Sequence, residues 1–162
     1  MNTNINNLDF SEIINANNRE KQINDNIEKA IEEIPESFTS VKMLYIPAVI
    51  NGNETKLFVD TGAQVSIMPL DKAFLHNIEN IIDYKHQGMV HGVGKQEIIG
   101  KIHFVELQLK DFLIGCSFTV IPDQEDIIIG LDMLLAHGII IDLKKRCLKL
   151  SNIEIPFCEK TD

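Results

Sequence analysis

The run Phe58-Val59-Asp60-Thr61-Gly62-Ala63 constrains this chain more than any other feature. An apolar strand leads directly into a carboxylate, a hydroxyl and a glycine. The strand holds the carboxylate rigidly. The glycine lets the backbone turn sharply and approach its surroundings closely. The small residues leave room beside the carboxylate for a water and a peptide. At average residue usage, Asp-Thr-Gly arises by chance in roughly one chain in thirty of this length. The tripeptide therefore gains meaning only from what surrounds it.

Two further features follow at instructive distances. Ile127-Ile128-Ile129-Gly130-Leu131-Asp132 is a second apolar run ending in glycine and a short helical segment. Between the two runs lies a glycine-punctuated hairpin, Gly88-Met89-Val90-His91-Gly92-Val93-Gly94. From Val41 onward the pattern is one of short strands. Met43 to Ile50 and Thr55 to Val59 flank Asn51-Gly52, a strong hairpin signal because both central turn residues need positive φ. Leu70 to Leu75 predicts a short helix, Met89 to Ile99 a hairpin, and Lys101 to Leu109 and Cys116 to Ile121 further strands. Asp132 to His137 predicts a helix stopped by Gly138, followed by a hairpin of Ile139 to Leu143 and Cys147 to Leu150. The expected fold is an all-β, partly closed barrel with short helices. Before it, Phe10 to Ile34 reads as helix. Ile13, Ile23, Ile27, Ile31 and Ile34 recur near helical spacing, Glu28, Glu32 and Glu33 lie opposite, and Pro35 ends it. The organisation expected is a disordered polar tail (1–8), a helical arm (9–40), a barrel domain (41–151) and a C-terminal tail (152–162).

These elements, in this order, resemble the retroviral-type aspartic proteases. Met43-Leu44-Tyr45-Ile46, Phe58 to Met68, Gly92-Val93-Gly94, Ile98-Ile99-Gly100, Cys116-Ser117-Phe118-Thr119-Val120 and Gly130-Leu131-Asp132-Met133-Leu134 together resemble the DNA-damage-inducible (Ddi) family. These are eukaryotic proteins of the ubiquitin–proteasome system with a retropepsin-like domain. The likeness spans about Ala30 to Leu150. Leu131 stands where many viral relatives carry a charged residue, and matches the Ddi pattern. The resemblance implies a retropepsin-like barrel, a symmetric homodimer, and hydrolysis of polypeptide substrates with no metal or organic cofactor. It also implies ubiquitylated proteins and the proteasome as partners. The family's ubiquitin-like and ubiquitin-associated domains are not recognisable in these residues, so that link rests on kinship alone.

Hydrolysis of this class uses two carboxylates about 3 Å apart that share one proton, since like charges so close cannot both ionise. One activates water and the other polarises the scissile carbonyl. This sequence has one Asp-Thr-Gly, and no Thr-Gly follows Asp132. The second carboxylate is therefore expected from a second copy, with Asp60 facing Asp60 across a two-fold axis. Thr61 has no histidine or lysine placed to activate it as a nucleophile. The resemblance makes Thr61 a cross-dimer hydrogen-bonding residue. Gly62 is expected to free an N–H for the carboxylate, and Ala63, which resembles the small residue after the family's motif, to offer backbone contacts to substrate. Gly92 and Gly94, with His91 and Val93, are expected to form a flap closing over an extended peptide. Ile129, Gly130, Leu131 and Asp132 are expected to support the Asp60 loop from beneath. Plainer readings stand beside these: Asp60 as a turn aspartate, the glycine hairpin as a solvated loop, His91 as a solvated histidine.

The charge balance narrows the classes further. A net charge of −9 and the absence of a basic cluster argue against nucleic acid and anionic membrane surfaces. No apolar run reaches the length of a bilayer span, and the polar, asparagine-rich N-terminus is unlike a secretory signal. Three cysteines, Cys116, Cys147 and Cys158, without CxxC spacing argue for a reducing compartment, with the cytoplasm or nucleus as the expected location. None of the five histidines has metal-ligand spacing. The alternatives to an aspartic endopeptidase are a weakly active dimeric adaptor of ubiquitylated proteins and a retroelement protease.

Overall fold

The computed structural model describes residues 9–92 and 94–161. The tail expected before residue 9, and Val93 of the expected flap, lie outside the described residues. The chain divides after Lys42 into two units. In the first, helix α1 (Phe10–Glu33) begins where Asp9 caps it, the Ser11 N–H donating to Asp9 Oδ1 at 3.1 Å. It ends with Ile34 as its C-cap, one residue before the expected stop, and Pro35 opens a short 3-10 turn to Phe38. No α1 residue is buried.

The second unit begins with β1 (Tyr45–Ile50) and β2 (Asn53–Val59). Their turn places Asn51 at φ 48° and Gly52 at φ 79°, as the dipeptide demands. β3 (Ile67–Pro69) and helix α2 (Leu70–Leu75) follow, then the hairpin β4 (Gly88–Gly92) and β5 (Gly94–Ile98). The chain continues through β6 (Gly100–Leu109), β7 (Phe112–Ile121), β8 (Ile127–Ile129) and helix α3 (Leu131–Ala136). β9 (Ile140–Asp142), β10 (Cys147–Leu150) and β11 (Ile153–Pro156) complete it. Six strands close a barrel in the order β1-β2-β8-β3-β7-β6. β9, β10 and β11 form a separate three-stranded sheet, and β4 and β5 form a two-stranded one.

Burial explains the closure. Ile46, Ile50 and Leu57 alternate inward along β1 and β2, while Leu107, Leu109, Phe118 and Val120 do so on β6 and β7. All three isoleucines of β8 are buried, because β8 is inserted between β2 and β3. On β6 the alternation slips: His103 and Phe104 are both exposed, at a register shift between Ile102 and Val105.

Two segments depart from the sequence expectation. β7 starts at Phe112 rather than Cys116, because Lys110 turns the chain at φ 53° without a glycine. Gly115 lies under the exposed Phe104 ring, which an added Cβ would have to displace. The segment expected as a C-terminal tail carries β11, which pairs with β10 after a turn at Ser151 (φ 54°) and buries Ile155 completely.

Buried His76 carries a pH consequence. Its Nδ1–H donates to the Ile50 carbonyl at 3.3 Å, while Nε2 is buried without a hydrogen-bond partner among the described residues. Burial holds its pKa below the ordinary histidine value. The neutral ring is thus favoured in the fold, whereas the unfolded chain takes up a proton below about pH 6.5. Stability is therefore present above that pH and falls as pH drops below it toward the lower folded value. A His76→Gln chain should lose part of this decline in urea midpoint between pH 7 and pH 5. An identical decline in both chains would remove His76 as its source.

Candidate functional site

Asp60 sits where β2 leaves the barrel. β2 runs parallel to β8, with Leu57, Phe58 and Val59 opposite Ile127, Ile128 and Ile129. The Asp60 N–H extends that ladder by donating to the Ile129 carbonyl at 3.0 Å. On the other side, the Val59 N–H donates to Leu44 O at 2.8 Å. Strand bonds on both flanks hold the residue at this exit, and Asp60 itself is half-buried. The chain then turns tightly: the Ala63 N–H donates to Asp60 O at 3.2 Å, and the Gly62 N–H to Asp60 Oδ1 at 2.8 Å. One carboxylate oxygen is thus oriented by its own loop. Thr61 and Gly62 are exposed, and Ala63 is half-buried.

The second apolar run clamps this loop from the adjacent strand. Leu131 N–H donates to Ala63 O at 2.8 Å and Asp132 N–H to Gln64 O at 3.2 Å. Ser66, which the sequence reading did not single out, joins the two segments. Its Oγ donates to Asp132 Oδ1 at 2.7 Å and accepts from the Gly130 N–H at 2.9 Å. Its N–H donates to Asp132 Oδ2 at 3.1 Å. The Met133 N–H also donates to Asp132 Oδ1, at 2.7 Å. The Asp132 carboxylate is therefore engaged by Ser66 and by the first turn of α3, whereas the described bond to the Asp60 carboxylate comes from Gly62. Gly130 is fixed by space: an added Cβ would lie 2.7 Å from Ala63 O and 2.8 Å from Val65 O. Ser66 lacked a legible signal beyond its place six residues after Asp60, since its partners are 64 and 66 residues away.

Behind this pair, Cys116 is buried on β7. Burial, with the nearby Asp132 charge, pushes its thiol up to about 12. It stays a thiol at neutral pH and is a poor nucleophile. Among the described residues no group of three histidine, cysteine or acidic side chains could hold a metal ion. Among them, too, no helix is long and apolar enough to cross a membrane. The β4–β5 hairpin has its backbone register from Gly88 opposite Ile98 to Gly92 opposite Gly94. Its exit joins the barrel through the Ile99 N–H and Val120 O, 2.9 Å apart.

A family model described as aspartyl protease matches residues 35–142. The crystal structure of the retroviral protease-like domain of Ddi1 from Leishmania major is similar with a TM-score of 0.70. It is 44% identical and matched over 76% of this chain and 99% of that one. The chain belongs to the aspartyl protease family, as a Ddi-type domain. DNA damage-inducible protein 1 of Kluyveromyces lactis is 39% identical over 158 residues, 98% of this chain and 37% of that protein. Protein DDI1 homolog 1 of Homo sapiens is 40% identical over 153 residues, 88% of this chain and 39% of that protein. The chain thus spans about two fifths of the length of these curated relatives. Its fold is the retropepsin-like all-β barrel that the Ddi motifs imply, with a helix before it.

Proposed function

We propose that this chain is one half of a homodimeric aspartic endopeptidase, in which Asp60 from each copy activates the water that hydrolyses a peptide bond. The observation that carries the reading is the unequal use of the two carboxylates. Asp60 stands half-buried at a strand exit, oriented through one oxygen by Gly62. Asp132 is engaged by Ser66 and Met133. One chain therefore presents one carboxylate of the required pair, and a second copy supplies the other.

The surface favours such a partner. Leu131 and Leu135 on α3, with Ile140 and Leu143 at β9, are exposed, Leu135 at 75%. Among the described residues β9 is also an edge strand of its sheet. Thr61, exposed beside Asp60, is then available to the facing loop. In this reading the β4–β5 hairpin, with His91, Gly92, Val93 and Gly94, is the flap, and substrate lies beneath it as an added strand. Asp60 would draw a proton from water while its partner carboxylic acid hydrogen-bonds the scissile carbonyl. Loss of the tetrahedral intermediate's C–N bond, with proton return to the leaving amine, completes hydrolysis. Work in the cytoplasm and nucleus on ubiquitylated substrates destined for the proteasome follows from kinship with the Ddi proteins.

Subunit mixing tests the shared site. Wild-type and Asp60→Asn chains are mixed equally and allowed to exchange, with tagged subunits confirming it. Random pairing leaves roughly one quarter of dimers with two aspartates and half with one. Activity per wild-type chain should fall to about half its unmixed value, since every second wild-type chain meets a mutant. Unchanged activity per wild-type chain would mean that each chain carries a complete site.

A further inference from the structure

The β4–β5 hairpin stands apart from the barrel sheet, so its position depends on how its root is held. The entry to the root is Asp83 and the exit is Gly100. Asp83 exchanges both backbone hydrogen bonds with Lys101, at 2.8 and 3.0 Å. Gly100 is pressed against the entry segment: a Cβ there would lie 2.6 Å from Asp83 O and 2.8 Å from Ile82 Cγ2. The Asp83 carboxylate then divides its two oxygens. Oδ1 accepts from the Lys85 N–H at 2.9 Å, fixing the turn that leads into β4. Oδ2 lies 2.8 Å from His103 Nε2 on the strand that leaves β5. His103 faces Asp83 from the register shift on β6, where two consecutive side chains point outward. One side chain thereby ties both ends of the hairpin together.

We propose that Asp83 and His103 are positioning residues, a clamp that sets the angle of the β4–β5 hairpin over bound peptide. This rests on the protease reading given above. The pair is open to water, with Asp83 at 28% and His103 at 55% exposure. Side-chain links so exposed, whether hydrogen bond or ion pair, contribute little to global stability. The barrel core does not depend on this link, so its effect falls on the hairpin.

The test separates the two oxygens of Asp83. His103→Leu removes the Oδ2 link and leaves the Lys85 cap and the Lys101 bridge in place. His103→Gln keeps a donor near the Nε2 position. Hydrogen exchange is followed at the amides of Gly88–Gly92 and Gly94–Ile98 in the full chain, alongside steady-state cleavage of a fluorogenic peptide. In His103→Leu, hairpin exchange should quicken about threefold with barrel strands unchanged, a size set by the strength of exposed pairs. KM should rise by about the same factor with kcat within about twofold, and His103→Gln should restore both. Unchanged hairpin exchange and KM in His103→Leu overturns the clamp. So does faster exchange spread evenly over barrel and hairpin, which marks a plain structural role. A chain that cleaves nothing, yet still shows the hairpin-specific acceleration and its rescue, overturns the protease reading and supports the clamp.

Discussion

An Asp60→Asn chain should fold as its parent does and hydrolyse no peptide. Amide and carboxylate have nearly the same shape, and the described contacts of Asp60 survive the exchange. The Gly62 N–H, at 2.8 Å from Oδ1, finds an amide oxygen in place of a carboxylate oxygen. The Asp60 N–H still meets the Ile129 carbonyl, and Ala63 still bonds the Asp60 main chain. The net stability change is therefore about 1 kcal/mol or less, since one charge-assisted bond becomes a neutral one. The chemistry fares differently. An amide does not take a proton from water at neutral pH, so on the proposed shared-site mechanism no dimer of this variant would keep a working carboxylate pair. Turnover of a fluorogenic peptide should fall on the order of a thousandfold or more, as when a residue of a concerted catalytic unit is removed. The urea midpoint and the elution volume should remain those of the parent. A purified variant with parental turnover would remove Asp60 from the reaction.

How much of this was legible depends on how local each signal is. The isoleucine spacing and Pro35 suffice for α1, because helix periodicity and its stop are encoded within a few residues. Asn51-Gly52 reveals the first hairpin for the same reason. The turns at Lys110 and Ser151 also need positive φ, yet neither residue advertises it, so the start of β7 and the whole of β11 escape the reading. β3 is three residues long and its partners, Thr119 to Ile121 and Ile128, lie some fifty or sixty residues on. Such a strand exists only once the barrel has closed. The Asp60 loop was legible as a motif, and support from Ile129 to Asp132 was expected from the family resemblance, but the part Ser66 takes in it was not legible. The role of Ser66 appears only when β8 is placed beside β2 and the Asp132 carboxylate comes within 2.7 Å.

Gly130→Ala should damage both fold and activity, for a reason that no motif states. The backbone there is extended (φ −97°, ψ −174°), a conformation open to any residue. Space is the obstacle. The new methyl would lie 2.7 Å from Ala63 O, 2.8 Å from Val65 O and 2.9 Å from the Val65 carbonyl carbon. All are backbone atoms, so no side chain can swing aside. Either the Asp60 loop or the start of α3 must move. Movement stretches the bonds from Leu131 to Ala63, from Asp132 to Gln64 and from Gly130 to Ser66, at 2.8, 3.2 and 2.9 Å. Overpacking of this kind costs about 1–3 kcal/mol, and each buried bond lost adds about 1 kcal/mol. Together they remove a substantial part of a typical stability of roughly 5–15 kcal/mol. The molecules that remain folded carry a displaced Asp60, and a shift of about 1 Å at a reacting group is enough for a loss near a hundredfold. Gly88→Ala is the control for stability, because its Cβ would meet nothing within 4 Å. Urea unfolding and peptide turnover are measured on both chains. If Gly130→Ala keeps the parental midpoint and turnover, the contact between the second apolar run and the Asp60 loop is not what holds the carboxylate in place.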